Sequence, residues 1–307
     1  MRVDNQRPSD NFEDRGVGSR GGGRGVSSGA LLGLFRILGF RGMVAAVVLL
    51  GGIYIFNPFG IRDAVFTALL GGVPGQAGSA QGSGSACGVS TESTQACDFS
   101  RRILGSTEAV WGEQFQQGRL PNYGAQVGAY TDPKLVVYSQ SVQTGCGPAS
   151  SDVGPFYCPA DGNLYVDPSF YDVMAQRLRA PGDFAQAYVI AHEVGHHVQK
   201  LIGAMEHPIQ GESENQTSVR TELQADCFAG VWGHTAQASL AIDDSDLREA
   251  LNAAHQIGDD TLSNGQGDPR QYTHGSADQR MRWFRRGFDT GDARQCDTWS
   301  VADYGAL

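Results

Sequence analysis

The sequence lacks the excess of positive charge that a nucleic-acid-binding face needs. Its 307 residues include 23 Lys and Arg against 33 Asp and Glu, which gives a net charge of −10. Proteins that bind a phosphate backbone do so through clustered basic side chains. The acidic bulk of the chain therefore argues against a nucleic-acid partner.

Charge of either sign is absent from residues 42–61, GMVAAVVLLGGIYIFNPFGI, a run of 20 residues between Arg41 and Arg62. As a helix, such a run spans roughly 30 Å, the thickness of a bilayer core. A signal-peptide core and a buried core helix are alternatives, but no small-residue cleavage site follows closely. We therefore expect an uncleaved transmembrane anchor. The arginine excess of residues 1–41 predicts a single-pass membrane protein with a cytoplasmic N-terminus and a periplasmic or extracellular domain.

Cysteine is absent before this hydrophobic run, and no CxxC pair occurs that would indicate a structural zinc ribbon. All six cysteines follow the run, as is typical of a domain in an oxidising compartment. Buried free thiols are the alternative reading. Six cysteines allow 15 connectivities. Proximity along the chain favours Cys87 with Cys97 and Cys146 with Cys158, which leaves Cys227 with Cys296.

Composition divides the rest of the chain into segments. Residues 1–41 are rich in Gly and Arg, which predicts a disordered cytoplasmic tail. Residues 62–96 contain GGVPGQAGSAQGSGSA, which is typical of a flexible linker. With 40% hydrophobic residues, the chain can bury a core, and we place the folded domain at residues 97–307.

Within this domain, short β-like runs precede a mostly helical half. The runs KLVVYSQSVQ, GPFYC and NLYVD predict strands, and the PADG between the last two predicts a hairpin. A long helix is expected to begin near Pro181 or Asp183 and to end at Gly203, with further helices near residues 219–234, 244–258 and 276–288. A small antiparallel sheet with several helices defines an α+β fold.

The long helix carries AYVIAHEVGHHVQKLIG, an apolar run with unusual chemistry. His192 and His196 lie one turn apart on the same face, so both imidazoles can bind one metal ion. Glu193 is rotated by about 100° around the helix, beside the metal, where it can take a proton from the attacking water. Two histidines and a carboxylate on an apolar helix are costly without a metal or partner, so the HExxH pattern favours zinc over chance.

A hydrolytic zinc site also needs a third protein ligand and an open position for water. The segment TELQADCFAGVW predicts a largely buried helix with Glu222 and Asp226 on one face. We expect Glu222 to bind the zinc and Asp226 to accept the N–H of a ligand histidine. Asp226 as the ligand is the main alternative, and a solvated acidic face is the simplest structural reading.

One further histidine is a candidate for catalysis. His274 lies in the polar loop YTHGSADQR just before a helix, from where it could hydrogen-bond the oxyanion of a tetrahedral intermediate. A structural role for His274 is equally consistent, and Tyr272 is a weaker candidate. The remaining histidines are expected to be structural, because they lack a companion at ligand spacing or face away from the pair: His197, His207, His234 and His255.

Five motifs occur in order across nearly all of residues 97–290: TGCGPA, GPFYCPADGNLYVD, GDFAQAYVIAHEVGHHVQ, ELQADCFAGVW and HGSADQR. With these motifs and the N-terminal NFEDRG, the chain resembles the YpfJ-type neutral zinc metallopeptidases. The resemblance implies a zincin-like fold, zinc held by His192, His196 and Glu222, a catalytic Glu193, and a membrane-anchored domain that faces the periplasm or the cell exterior.

The sequence therefore predicts a membrane-anchored zinc endopeptidase that acts on proteins or peptides of the cell envelope. Its substrate would lie extended along an edge strand supplied by GPFYC or NLYVD. Two alternatives stay open. A non-catalytic, zinc-stabilised envelope scaffold would not need Glu193 as a base, and a zinc amidase acting on cell-wall peptide would use the same residues.

Overall fold

Seven α-helices and six strands make up the regular structure of residues 1–18, 84–124, 126–206 and 209–307, which the computed structural model describes. The strands are β1 (Phe12–Val17), β2 (Lys134–Ser139), β3 (Ser141–Thr144), β4 (Gly147–Ser150), β5 (Phe156–Cys158) and β6 (Asn163–Val166). The helices are α1 (Thr91–Gln116), α2 (Phe170–Gln176), α3 (Asp183–Ile202), α4 (Glu214–Leu240), α5 (Asp244–Gln256), α6 (Asp259–Leu262) and α7 (Ala277–Thr290). The predicted α+β class is confirmed.

The main sheet has the strand order β1-β2-β6-β5, and a separate hairpin pairs β3 with β4. The predicted hairpin between β5 and β6 is confirmed as antiparallel. The prediction of an antiparallel sheet is otherwise wrong, because β1, β2 and β6 run parallel. The run KLVVYSQSVQ forms two strands instead of one, since Gln140 has a positive φ of 72° and its N–H donates to the Asp167 carboxylate at 3.1 Å.

Both faces of this sheet are buried. Side chains of one face, including Leu135, Val137 and Leu164, belong to the core beneath the helices. Their sequence neighbours on the other face, including Val136 and Tyr165, are covered by the β3–β4 hairpin. Burial on both sides accounts for the nearly continuous apolar run of β2, which is typical of strands in parallel sheets.

The N-terminal segment is folded, which corrects the predicted disordered tail for its first 18 residues. Strand β1 pairs with β2, with Phe12 opposite Leu135. Just before it, the Ser9 hydroxyl and the Asn11 amide donate to Glu108 Oε1 of α1 at 2.5 and 2.9 Å. The composition of residues 1–41 does not reveal this short strand. The strand forms by pairing with β2, which lies more than a hundred residues away in the sequence.

The single-pass membrane topology predicted from the sequence is wrong. Residues 1–18 and 84–307 belong to one compact unit, and strands that pair within one sheet, as β1 and β2 do, cannot lie on opposite sides of a membrane. None of the helices that the structure describes combines the length and the apolar character needed to cross a bilayer. The predicted anchor at residues 42–61 lies outside the described residues, as do residues 19–41 of the predicted tail and 62–83 of the predicted linker.

The three disulfides join the pairs that sequence proximity favours. Cys87 bonds to Cys97 at the start of α1, so residues 87–96, predicted as linker, are already part of the fold. Cys146 bonds to Cys158 and fixes the β3–β4 turn to β5. Cys227 of α4 bonds to Cys296, just after α7.

Close helix crossings bring the chemical motifs together. Helix α3 begins at Asp183 and ends at the left-handed Gly203, as predicted. At its crossing with α4, a Cβ on Gly195 would lie 3.0 Å from Ala225 Cα. Helix α7 approaches α4 more closely still, since a Cβ on Gly287 would lie 1.9 Å from the Cys227 carbonyl oxygen. Glycine at these crossings lets α4 pack against both α3 and α7.

Candidate metal centre

The face of α3 that carries His192 and His196 meets α4 at Glu222. His192 Nε2 lies 3.1 Å from Glu222 Oε2, and His196 Nε2 lies 3.5 Å from Glu222 Oε1. The three ligand atoms lie within 4.8 Å of one another. A tetrahedral zinc ion with bonds of about 2.0–2.2 Å holds adjacent ligand atoms about 3.3 Å apart. The donor set of two imidazoles and one carboxylate therefore fits zinc, and the structure brings together the residues that the sequence predicts.

Asp226 lies on the other side of His192. Its Oδ1 is 2.8 Å from His192 Nδ1, so the ring N–H on that side is donated to the carboxylate, and Nε2 is the nitrogen that faces Glu222. The Tyr188 hydroxyl donates to the same oxygen at 2.6 Å. This is the supporting position that the sequence predicts for Asp226, one helical turn beyond Glu222.

The Asp226 carboxylate is held by a buried cation that the sequence reasoning missed. Arg280 of α7 donates from Nε to Oδ2 at 2.8 Å and from Nη2 to Oδ1 at 2.9 Å, a two-pronged contact. Arg280 Nη2 also lies 3.9 Å from Glu222 Oε2. The sequence did contain a signal for this contact, because Arg280 shares a helix face with Trp283 and Phe284. An arginine on an apolar face is expected to be buried, and a buried cation needs an anionic partner.

The charged groups of this cluster strongly shift one another's pKa values. Burial raises the pKa of Glu222, but the neighbouring His196 and His192 outweigh it, and the net pKa lies well below the usual range. Burial likewise opposes ionisation of Asp226, and Arg280 and His192 lower its pKa. Burial lowers the pKa of His192, yet Asp226 and Glu222 raise it to about 10. Both carboxylates are thus ionised near neutral pH, the form that a metal site needs, whereas His192 is protonated there and would release its Nε2 proton on binding a metal.

Glu193 follows His192 on α3 and is only 8% exposed. Within the part of the chain that the structure describes, no hydrogen bond or ion pair holds its carboxylate. Such a group is suited to exchange protons with a bound reactant, which is the role that the HExxH pattern predicts.

His274 lies in a loop that rests on α4 next to Glu222. The Ser218 hydroxyl donates to the Thr273 carbonyl at 2.8 Å. A Cβ on Gly275 would lie 3.3 Å from Leu223, the residue after Glu222. The negative charge of Glu222 contributes to a raised pKa of His274, after the larger effect of a hydrogen bond to Asp259. The loop is therefore close to the candidate metal centre.

The loop is shaped by Asp259, a second residue that the sequence reasoning missed. Asp259 Oδ2 accepts the backbone N–H groups of Thr273, His274 and Gly275 at 2.8, 2.8 and 3.1 Å. Its Oδ1 lies 3.1 Å from His274 Nδ1. No local pattern signals this contact, because the two residues are 15 positions apart along the chain.

The other candidate residues have structural partners. His197 donates from Nε2 to the Thr131 carbonyl at 2.7 Å and accepts at Nδ1 from the Tyr157 hydroxyl at 3.0 Å, which ties α3 to β5. His234 Nδ1 donates to the Phe288 carbonyl at 2.7 Å. The Tyr272 hydroxyl contacts the Gly267 carbonyl at 3.5 Å. His255 is exposed near the end of α5, and residue 207 lies outside the described residues.

Two histidines of an HExxH helix and a glutamate from the next helix are the set of residues with which zinc metallopeptidases bind their metal. Residues 1–299 match the family described as "Putative neutral zinc metallopeptidase", and the chain belongs to that family. The resemblance seen in the sequence motifs is confirmed.

The chain is 45% identical over 312 residues to YpfJ, an uncharacterized protein of Escherichia coli strain K12. The aligned region covers 97% of this chain and 99% of that protein. It is 44% identical over 215 residues to the uncharacterized protein Mb2605 of Mycobacterium bovis, which covers 65% of this chain and 69% of that protein. No solved structure matches the chain.

Proposed function

We propose that the chain is a zinc-dependent endopeptidase whose base is Glu193. The observation that carries this proposal is the convergence of His192, His196 and Glu222, with ligand atoms within 4.8 Å, next to Glu193, whose carboxylate has no hydrogen bond or ion pair among the described residues. A zinc scaffold without activity would not require such a base next to its metal.

Zinc held by His192, His196 and Glu222 would supply Lewis-acid polarisation of a carbonyl and would lower the pKa of a water molecule. Glu193 accepts the proton of the attacking water and passes it to the nitrogen of the departing amine. Asp226, with Arg280 and Tyr188, keeps His192 oriented during these steps.

His274 would stabilise the negative charge that develops on the scissile carbonyl oxygen. Because Nδ1 faces Asp259 at 3.1 Å, the protonated ring has Nε2–H available for an oxyanion. This arrangement favours an oxyanion role for His274 over a purely structural one, and Tyr272 is already engaged within its own loop.

The substrate would be an unfolded or extended peptide segment. Strand β6 is paired on both sides, with β2 and β5, so NLYVD cannot bind a further strand. Strand β5 is at the edge of the sheet and contacts α3 through Tyr157 and His197. An extended peptide added to β5 would pass beside the metal-binding helix. Three disulfides support a substrate met in an oxidising compartment outside the cytoplasm, such as a protein of the cell envelope.

The test is cleavage by the purified full chain, zinc-loaded or treated with a chelator, of an unfolded protein and of a peptidoglycan preparation. We expect cleavage of the unfolded protein that disappears with the chelator and returns with added zinc. Cleavage of the peptidoglycan alone would support the amidase alternative, and a zinc-loaded chain that cleaves neither would support the scaffold.

A further inference from the structure

His196, the second histidine of the pair, depends on a buried amide. Gln199 is completely buried one turn further along α3, and its Oε1 lies 2.8 Å from His196 Nδ1. Gln199 Nε2 donates to the Thr221 carbonyl at 2.6 Å and to Gln224 Oε1 at 3.2 Å. A backbone carbonyl only accepts hydrogen bonds, so the NH2 group must face Thr221 and the amide oxygen must face His196.

Gln224 is fixed in the same way. Its Nε2 donates to the Cys296 carbonyl at 2.8 Å and to the Tyr123 hydroxyl at 2.6 Å. The Tyr123 hydroxyl in turn donates to Asp297 Oδ1 at 3.0 Å. The Gln224 oxygen therefore faces Gln199. His196, Gln199, Gln224, Tyr123 and Asp297 thus form one hydrogen-bond network. Each residue donates to the next, and the Asp297 carboxylate is the last acceptor.

These directions determine the tautomer of His196. A ring nitrogen that faces an amide oxygen must carry the proton, so Nδ1 is the N–H and Nε2 has the lone pair. Nε2 is also the atom that lies 3.5 Å from Glu222 Oε1. We propose that Gln199 is a positioning residue of the metal centre, which fixes His196 in the Nδ1–H tautomer and ties it to α4 at Thr221, the residue before Glu222.

The proposal rests on the proposed zinc function and explains why an amide occupies this position. Gln199 must accept from His196 and donate to two acceptors, Thr221 and Gln224, on α4. A carboxylate can only accept, and would bring a negative oxygen against both α4 acceptors. The two ligand histidines are therefore supported differently, His192 by an anion and His196 by a neutral amide.

The decisive measurement is the zinc dissociation constant of the full chain, obtained by competition with a chromophoric chelator. Gln199→Met has a similar size and no hydrogen-bonding amide, and we expect it to bind zinc about 10- to 100-fold more weakly. The matched control is Gln114→Met, which changes a buried glutamine of α1 and should leave zinc affinity unchanged. Gln199→Glu retains an acceptor for Nδ1 but loses the donor to Thr221 and Gln224, so its zinc affinity should fall as well. A dissociation constant for Gln199→Met within twofold of wild type overturns the proposal.

A second measurement tests the predicted tautomer of His196 even if the Gln199 variants do not fold. The ¹⁵N shifts of the His196 ring in the zinc-loaded wild type should show the metal on Nε2 and the proton on Nδ1. Metal on Nδ1 would overturn the role of Gln199 alone, whereas a wild-type chain that binds no zinc at these histidines would overturn the proposed function as well.

Discussion

At the scale of the residue, each histidine of the candidate metal centre is oriented by a supporting group. His192 has Asp226, which Arg280 and Tyr188 hold in turn, and His196 has Gln199. Helical spacing predicted His192, His196, Glu222 and Asp226, because i and i+4 positions share a face. It missed Arg280, since this contact joins α4 to α7 and depends on how the helices cross.

Replacing Glu222 and Asp226 of α4 by their amides distinguishes the proposed zinc ligand, Glu222, from the residue that orients His192, Asp226. Glu222→Gln should lose most of its bound zinc, because an amide replaces the anionic ligand poorly. Asp226→Asn should weaken zinc binding by about 10- to 100-fold and keep more metal than Glu222→Gln. It should also lower stability by about 3–5 kcal/mol, because Arg280 loses its buried anionic partner. Zinc content after dialysis and thermal unfolding are the measurements, and the opposite order of zinc retention would reverse the assignment.

The Asp259–His274 pair predicts a pH dependence. His274 has a raised pKa, chiefly from Asp259, with Glu222 raising it further and burial and Arg280 lowering it. Asp259 has a lowered pKa, since its hydrogen bonds and the charge of His274 outweigh burial. The pair therefore stabilises the fold between these pKa values. Its contribution is lost as pH rises through the pKa of His274, and also as pH falls through that of Asp259.

Asp259→Asn should accordingly move the titration midpoint of His274 downward, as followed by NMR of its ring proton. Asp268→Asn is the control, because it removes an ion pair with the exposed Arg270 in the neighbouring turn and should leave the midpoint where it is. An unchanged midpoint in Asp259→Asn would refute the pairing.

At the scale of the element, the site depends on helices that approach at glycines. The end of α3 was predictable from the local signal at Gly203, whereas its start has no side-chain cap of its own and Glu249 of α5 accepts the Phe184 N–H at 3.0 Å. The crossings were not, because a glycine within a helix has no local signature of the backbone it will contact. Gly195 of HEVGH illustrates this, being the point where α3 meets Ala225.

Gly287→Ala should separate α7 from α4. A methyl group there would lie 1.9 Å from the Cys227 carbonyl oxygen, and Arg280 is two turns away on the same face of α7. We expect a loss of about 1–3 kcal/mol in the free energy of unfolding, with weaker zinc binding because Arg280 shifts from Asp226. The control Gly112→Ala, on α1, adds a methyl group with no atom within 4 Å, and should be neutral or stabilising by up to about 1 kcal/mol. Equal stability of the two variants would show that the close approach of α7 to α4 does not require glycine at position 287.

At the scale of the whole molecule, the first residues of the chain complete the fold that carries the site. Besides β1, the backbone N–H of Arg2 donates to the Leu240 carbonyl at the end of α4, at 2.7 Å. The Asp14 carboxylate accepts from residues 16, 85, 86 and 87, which joins β1 to the segment before α1. Composition could not predict this, because parallel pairing over long sequence distance leaves no local pattern.

Deletion of residues 1–18 should therefore destabilise the unit by more than about 3 kcal/mol, since it removes an edge strand and its hydrogen bonds. Chemical denaturation measures this loss. Asp10→Ala is the control, because it removes only an ion pair with Arg7 in which both side chains are more than three-quarters exposed, and should change stability by less than about 0.5 kcal/mol. A deletion variant as stable as the full chain would show that β1 is dispensable.

The most direct test of the catalytic centre is Glu193→Gln in the full chain, with zinc content and peptide cleavage measured on the same preparation. The substitution keeps the size of the side chain and leaves His192, His196 and Glu222 unchanged, so zinc content and thermal stability should match wild type. Only the proton acceptor is lost, and cleavage should fall by about 10²- to 10⁴-fold. Equal rates of cleavage by zinc-loaded wild type and Glu193→Gln would contradict the account.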